Sequence, residues 1–501
     1  MAQEDFDLII IGSGPGGYVA GIRAGQLGLK VAVVEKDPKL GGTCLHRGCI
    51  PTKALLHTAS LLDEIRGVAE HGIQVPAPIL DIARAHDRKR KVVDKNARGI
   101  EALFKKYKVT GMLQGTGRLV GPHQVEVDGK DGKRVLSTRF VMIATGSVPR
   151  DVPIAPADGE RVLNSDHVLL LERVPKSIAV LGAGAVGTEF ASLYASFSSE
   201  VTLIEMLPRV LPIEDEEVSA ELERALRKRK IKVLTGARLT AAERTAAGVR
   251  LTVERQGKAG AKAPAAAGSS GNPGTAGTAA ATEPRATSET AGTTEIIEAE
   301  LLLSAVGRSP VTAGLGLEAL GIELERGYVK VNPLMQTNLP HVYAIGDVVD
   351  TPWLAHVASA EGILAVEHMA GQPVRPINYD HVPSCTYCDP EVGSVGLSEA
   401  RARERGYDVA VGKFPFTALG KAAILGHTGG FVKVVRETRY DELLGVHIIG
   451  ASATDLIAEA CAALHLEATD EELLRTIHAH PTLSEAVGEA AHAALGHAIH
   501  F

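Results

Sequence analysis

The chain has little of what marks a secreted, membrane-spanning or nucleic-acid-binding protein. Five cysteines in 501 residues are no disulfide framework, and in a reducing compartment a close pair is more often catalytic or metal-binding than structural. An excess of positive charge is missing: 53 Lys and Arg stand against 60 Asp and Glu, a formal charge of -7. No general nucleic-acid or anionic-membrane surface is therefore expected. The run Arg88-Lys89-Arg90-Lys91 reads as the solvated face of a helix. Apolar runs such as FDLIIIG and VLLLE fall far short of the roughly 20 residues a bilayer crossing needs. The first residues, MAQEDFDLIIIG, are acidic and enter a strand at once, leaving no room for a secretory leader, so a cytoplasmic location is expected. Residues 255–295 contain no Val, Ile, Leu, Met or aromatic residue, and nothing there offsets the entropy of ordering the backbone. They are expected to be a disordered insertion that replaces a hairpin turn between the strands LTVER and IIEAELLL.

What is present is enough apolar residue, 45%, for several cores, so two to four domains are expected. A repeat organises them. FDLIIIGSGPGG places Gly12, Gly14 and Gly17 after an apolar strand, and the next strand, KVAVVE, ends on Glu35. SIAVLGAGAVGTE does the same with Gly182, Gly184 and Gly187, and EVTLIE ends on Glu205. In both units the acid stands 23 residues after the first glycine. This pattern binds dinucleotides: glycines let the backbone approach a pyrophosphate at a helix N-terminus, and the acid accepts the ribose hydroxyls. Each unit closes with a strand running into glycine, RFVMIATG (Gly146) and ELLLSAVG (Gly307). Glu205 repels a 2'-phosphate and the nearest arginine is Arg209, which favours NAD over NADP.

The cysteines Cys44 and Cys49 stand in GGTCLHRGCIPTK, nine residues past Glu35. Nicotinamide exchanges only hydride, whereas a dithiol delivers its electrons through thiolate attack; a flavin accepts both. The first site, beside the cysteines, should then hold FAD and the second NAD.

That loop, the twin glycine turns, AIGD (Gly346, Asp347) and HAHPTLSE near the end of the chain resemble the flavin disulfide reductases, most closely the branch that oxidises dihydrolipoamide. The resemblance covers almost the whole chain outside the insertion. It departs at His46 and Arg47, where the common pattern has Asn and Val, a change that could tune the redox potential. The resemblance implies that Cys44 is the interchange thiol and Cys49 the flavin-side thiol, joined as a disulfide when oxidised. It puts Lys53 near the flavin N5, paired with Glu189, and Asp347 on the ribityl chain, with Gly115, Thr145 and Gly146 lining the same cofactor. The implied fold is α/β: two doubly wound Rossmann-like domains plus a C-terminal α+β interface domain. The boundaries are an FAD domain at 1–150, an NAD domain at 151–308, a return segment at 309–352 and the interface domain at 353–501. The implied partners are dihydrolipoamide on a lipoyl domain, an acyltransferase core of a 2-oxo acid dehydrogenase or a glycine cleavage carrier, and a second copy of the chain. Mercuric reductases share the loop but usually carry a C-terminal cysteine pair, whereas this chain ends LGHAIHF. Glutathione reductases favour NADP, against Glu205. A docked scaffold subunit is the remaining alternative.

A dithiol needs a base of near-neutral pKa. Among 18 histidines, His480 stands out because Pro481 follows and Glu485 lies five residues on, which resembles the family's His-Glu pair and implies that Glu485 fixes the tautomer. The resemblance implies that this histidine serves the partner subunit's site. The competing reading is that Thr482 and Glu485 form a T-x-x-E capping box, and a carboxylate turned to the histidine would not cap. His478 is read as structural. Cys385, Cys388 and Cys461 are read as buried structural cysteines: SCTYCDPE has no second ligand pair for zinc and no helix start to lower a thiol pKa. No metal is expected.

Overall fold

The computed structural model describes residues 5–130, 132–255 and 293–500. Most of the 255–295 segment therefore lies outside the described residues. The chain begins with β1 (Phe6–Ile11), α1 (Pro15–Gln26) and β2 (Val31–Glu35). Pro15 opens α1 at the position where a missing N–H costs nothing. Helices α2 (Gly42–Arg47), α3 (Cys49–Gly67) and α4 (Ile82–Lys106) follow, then β3 (Thr110–Leu113) and the meander β4 (Thr116–Gly121), β5 (Gln124–Gly129) and β6 (Gly132–Ile143). β1 lies between β2 and β6, parallel to both, with Ile9 opposite Ala32 and Val141. Its central residues Leu8, Ile9 and Ile10 are wholly buried, as a continuous apolar run in a sheet covered on both faces must be.

The second unit repeats the plan. β7 (Val162–Leu163), β8 (Ser177–Leu181), α5 (Ala185–Ser196), β9 (Glu200–Ile204), α6 (Glu216–Lys228), β10 (Lys232–Leu234), β11 (Ala237–Arg244), β12 (Val249–Arg255), β13 (Thr293–Ala299) and β14 (Leu301–Ser304) follow in order. The parallel sheet runs β10-β9-β8-β14-β7, and β11-β12-β13 form a separate antiparallel sheet. β12 and β13 pair with Arg255 opposite Thr293, so the two strands that bracket the insertion are hairpin partners, as expected.

The chain then returns to the first sheet: β15 (Val342–Ala344) lies parallel to β6. Helix α7 (Ala355–Met369) packs across α1, with a side-chain-free contact where a Cβ on Gly362 would stand 2.8 Å from the Gly16 carbonyl oxygen. Arg23 and Glu367 pair across this contact at 2.6 Å. The expected start of the interface domain at 353 is thus too early, because α7 belongs with the first unit. β16 (Ser384–Thr386), β17 (Glu391–Gly396), β18 (Val409–Pro415), β19 (Phe431–Glu437) and β20 (Leu443–Gly450) make an antiparallel sheet in the order β16-β17-β20-β19-β18. Helices α8 (Ala453–His465), α9 (Asp470–Arg475) and α10 (Glu485–Ala494) complete its core. Lys433 of β19 is buried and reaches Asp215 at 3.1 Å, Glu217 at 2.8 Å and Glu399 at 3.0 Å. One ammonium therefore fastens the third sheet to the start of α6.

Candidate active site

The two glycine turns are near copies. Gly12 and Gly182 have φ of 105° and 98°, a left-handed conformation that glycine adopts without penalty. A Cβ on Gly17 or Gly187 would stand 1.9 Å from the carbonyl oxygen of Gly12 or Gly182. A Cβ on Gly14 or Gly184 would meet nothing within 4 Å. The third glycine therefore packs helix on strand, and the second leaves the open space a pyrophosphate fills above a helix N-terminus. The acids match too. Glu35 is 5% exposed and accepts from the Ser13 N–H at 2.9 Å and the Asp37 N–H at 2.9 Å. Glu205 is 8% exposed and accepts from the Ala183 and Leu207 N–H groups, both at 2.7 Å. Gly146 and Gly307, with φ of 69° and 108°, likewise face open space. Both turns fit a dinucleotide. Arg209 is engaged by Glu216 at 2.6 Å.

Other expected cofactor residues serve the fold as well. The Thr145 hydroxyl donates to the Val311 carbonyl at 2.6 Å, and the Gly115 N–H donates to the Glu35 carbonyl at 2.9 Å. Asp347 lies inside the short turn Gly346–Val348 rather than capping a helix. It accepts from the Ser147 hydroxyl, which accepts in turn from Arg308 Nε at 2.7 Å.

The cysteines sit at the junction of α2 and α3. Cys44 is in α2, and Cys49 is the first residue of the 19-residue α3, where the helix dipole favours a thiolate. Both are free thiols, the reduced form of the couple. The Cys44 S–H bonds to the Cys49 sulfur. That bond holds Cys49 down at about 7, against the effect of burial and helped by Lys53. The same hydrogen bond, with burial, pushes Cys44 up. One proton and one negative charge are thus shared by the pair, with the charge on Cys49. Lys53 Nζ contacts both oxygens of Glu189 at 2.8 Å, as expected. His46 bonds the Leu40 carbonyl at 2.8 Å and Arg47 pairs with Asp37 at 2.5 Å, so both departures brace α2 against the first nucleotide loop.

Cys44 opens onto a cavity of about 220 Å³ whose lining includes Tyr18, Ile50, Asn96, Ile100, His356 and Ser359. Cys49 is not among its lining residues. His356 bonds the Pro383 carbonyl at 3.0 Å, and burial keeps its ring below the usual imidazole range. Burial raises the Tyr18 phenol. The sequence offered no signal for these residues, nor for Tyr387, whose ring lies 4.5 Å from Lys53 Nζ and whose N–H donates to Glu189 at 3.0 Å.

His480 Nδ1 bonds Glu485 Oε1 at 2.8 Å, while Glu485 Oε2 accepts from the Thr482 N–H at 2.8 Å. One carboxylate oxygen holds the imidazole and the other takes the Thr482 N–H, but the last helix begins at Glu485, so the expected capping box at Thr482 is not formed. Burial opposes ionisation of Glu485, but the Thr482 N–H and the imidazole outweigh it and hold the carboxyl low. The His480 side chain is 78% exposed and lines no part of the Cys44 cavity. His478 is tied to Glu459 at 2.7 Å, a structural contact as expected.

Lys89 departs from the solvated-face reading. It is 6% exposed and bonds His86 Nδ1 at 2.8 Å and the Leu169 carbonyl, and burial lowers its ammonium to about 8. Cys388 is buried, whereas Cys385 and Cys461 are only half-buried. Burial raises all three thiols, Cys385 to about 12 and Cys461 to about 11. They are inert at neutral pH.

The sequence profile of the pyridine nucleotide-disulphide oxidoreductases matches residues 6–362, and the profile of that family's dimerisation domain matches residues 382–491. The chain is 43% identical to the dihydrolipoyl dehydrogenase of Bacillus subtilis over the whole of both chains. It is 41% identical to that of Zymomonas mobilis over 99% of this chain and all of the relative. Among solved structures, the crystal structure of LpdA from Mycobacterium tuberculosis superposes with a TM-score of 0.83 at 26% identity, covering 97% of this chain and 98% of that one.

Proposed function

Since the chain belongs to the pyridine nucleotide-disulphide oxidoreductases, we propose that it oxidises dihydrolipoamide to lipoamide and reduces NAD+, with FAD held at the first glycine turn and NAD+ at the second. The observation that carries this reading is the coupled thiol pair, with Cys44 lining the cavity and the Cys49 thiol lowered beside Lys53.

The exchange follows from the chain's own groups. His480 Nε2 takes a proton from one substrate thiol, its Nδ1–H being held by Glu485. The resulting thiolate attacks Sγ of Cys44 in the oxidised disulfide; the Cys44–Cys49 bond breaks, and Cys49 leaves as the thiolate favoured by α3, Lys53 and the neighbouring thiol. The second substrate sulfur attacks the first across the mixed disulfide and gives its proton to Cys44 as that sulfur leaves. Lipoamide departs, and Cys44 S–H is left donating to the Cys49 thiolate. Bound FAD supplies the two-electron passage from the Cys49 side to NAD+. Lys53, neutralised by Glu189 and covered by Tyr387, keeps a fixed cation beside that sulfur.

Because His480 is exposed and lines no part of its own chain's Cys44 cavity, the His480–Glu485 pair of a second copy completes the site, in keeping with the dimerisation domain. Among the described residues no helix is long and apolar enough to cross a membrane. We place the dimer in the cytoplasm, serving lipoyl domains of a 2-oxo acid dehydrogenase or glycine cleavage assembly. The test is turnover of free dihydrolipoamide with NAD+ against turnover of NADPH with oxidised glutathione. The first should be fast and the second negligible; the reverse would overturn the reading.

A further inference from the structure

Helix α4 buries Ala85, Val93, Ala97, Ile100 and Phe104 along one side. On the opposite side Arg84, Arg88, Lys91, Lys95, Arg98 and Lys105 recur in steps of four and three, broken only at Ala102, the spacing that keeps side chains in one stripe. All six are exposed. Arg84 meets Asp81 at 3.4 Å, and Arg98 acts through space on Asp94. Among the described residues the side chains of Arg88, Lys91, Lys95 and Lys105 make no hydrogen bond or ion pair. The acids on the outer part of the helix do little to cancel them. Asp87 is held by Arg90 and Asp94 by Lys39 at 2.6 Å, leaving only Glu101 unpaired. Like charges at this spacing weaken a helix, so the fold gains nothing from the stripe, which is locally opposite in sign to a chain of net charge -7. Its position is informative. The same helix contributes Asn96 and Ile100 to the Cys44 cavity, and Lys95 adjoins Asn96.

We propose that this stripe docks the acidic surface of the small protein domain that carries the dihydrolipoyl arm, steering the arm to Cys44. The inference rests on the dihydrolipoamide reading above. Opposed fields of this kind act on encounter and register more than on the reacting group. Free dihydrolipoamide, which is uncharged, should be indifferent to the stripe.

The experiment uses the full-length, FAD-loaded enzyme and its Lys91→Glu/Lys95→Glu and Lys91→Gln/Lys95→Gln variants. Two substrates are compared, free dihydrolipoamide and an isolated dihydrolipoylated lipoyl domain of negative net charge. For the domain, KM should rise about tenfold in the Glu variant and about threefold in the Gln variant with kcat unchanged. The difference should collapse at about 0.5 M salt, where the screening length shrinks to a few ångströms. For free dihydrolipoamide, kcat and KM should stay at wild-type values in both variants. An unchanged KM for the domain at low salt would overturn the proposal, as would an equal change for the free substrate. Duplex DNA binding that disappears in the variants while KM for the domain is unmoved would reassign the stripe to nucleic acid. Failure of the wild-type enzyme to oxidise free dihydrolipoamide would instead defeat the underlying functional reading, and the docking with it.

Discussion

Replacing Cys44 by Ala removes the donor that does most to lower the Cys49 thiol. With Cys44 in place, Cys49 sits at about 7 instead of the 9.0 of an unperturbed thiol. That preference for the thiolate is worth about 2.7 kcal/mol, within the range of one hydrogen bond to a charged group, about 1.5–3 kcal/mol. Without the donor, burial is opposed mainly by Lys53, and Cys49 should return to about 9 or above. At pH 7 the thiolate share would then fall from about half to about 1%. Ser at position 44 still donates an O–H, so Cys44→Ser should keep Cys49 near 7. The assay is the pH dependence of thiolate ultraviolet absorbance in the two single-thiol variants, with Cys385, Cys388 and Cys461 silent because burial raises them. Iodoacetamide alkylation gives a second reading. The more basic thiolate is intrinsically about tenfold more nucleophilic, so the difference between variants at pH 7 shrinks to roughly fivefold. The sign is the same for both: reactivity is lost as pH falls through the thiol pKa and levels off above it. Coincident titration of the Ala and Ser variants would refute the claim that the Cys44 hydrogen bond holds the charge on Cys49.

Gly17→Ala, which drives a Cβ against the Gly12 carbonyl, should yield protein that does not retain FAD, whereas Gly187→Ala should stay yellow and lose NAD+ affinity; absorbance and NAD+ KM read the two. In Glu485→Gln the amide oxygen still serves the Thr482 N–H, so the NH2 must donate to His480 Nδ1 and the proton moves to Nε2. The base is then blocked, and kcat should fall about 10²–10⁴-fold with the melting temperature nearly unchanged. Lys433→Met leaves Asp215, Glu217 and Glu399 without their buried cation and should cost about 3–5 kcal/mol of stability in urea unfolding. Tyr387→Leu removes the ring over Lys53 and should raise the Cys49 pKa, while Tyr387→Phe should leave it in place, as a titration of each reduced variant would record.

The parts of this molecule that sequence exposed are those whose chemistry is local. A strand, three glycines and an acid 23 residues on lie within one short stretch, and both copies form the same turn, with Glu35 and Glu205 accepting from matching N–H groups. Cys44 and Cys49 drew notice by their spacing, whereas Lys53 and the His480–Glu485 pair were singled out through the family resemblance. Tyr387, His356 and Asn96 were not. Tyr387 reaches Glu189 across 198 positions of chain, and no period or motif in either segment announces the contact. Lys89 was misread because a run of four basic residues on a helix must turn one inward. The α7 boundary was missed because an apolar helix carries no mark of which core it joins. The capping box read from Thr482 and Glu485 is absent because the helix starts at Glu485 itself, later than that spacing implies.

The most direct test of the electron route is an anaerobic mixture of the FAD-loaded wild-type protein, dihydrolipoamide and NAD+, followed by NADH absorbance, beside the Cys44→Ser and Cys49→Ser variants. We expect one NADH for each dihydrolipoamide consumed by the wild type and none from either variant, although both remain yellow. NADH formed by either variant at the wild-type rate would contradict a path through these two sulfurs.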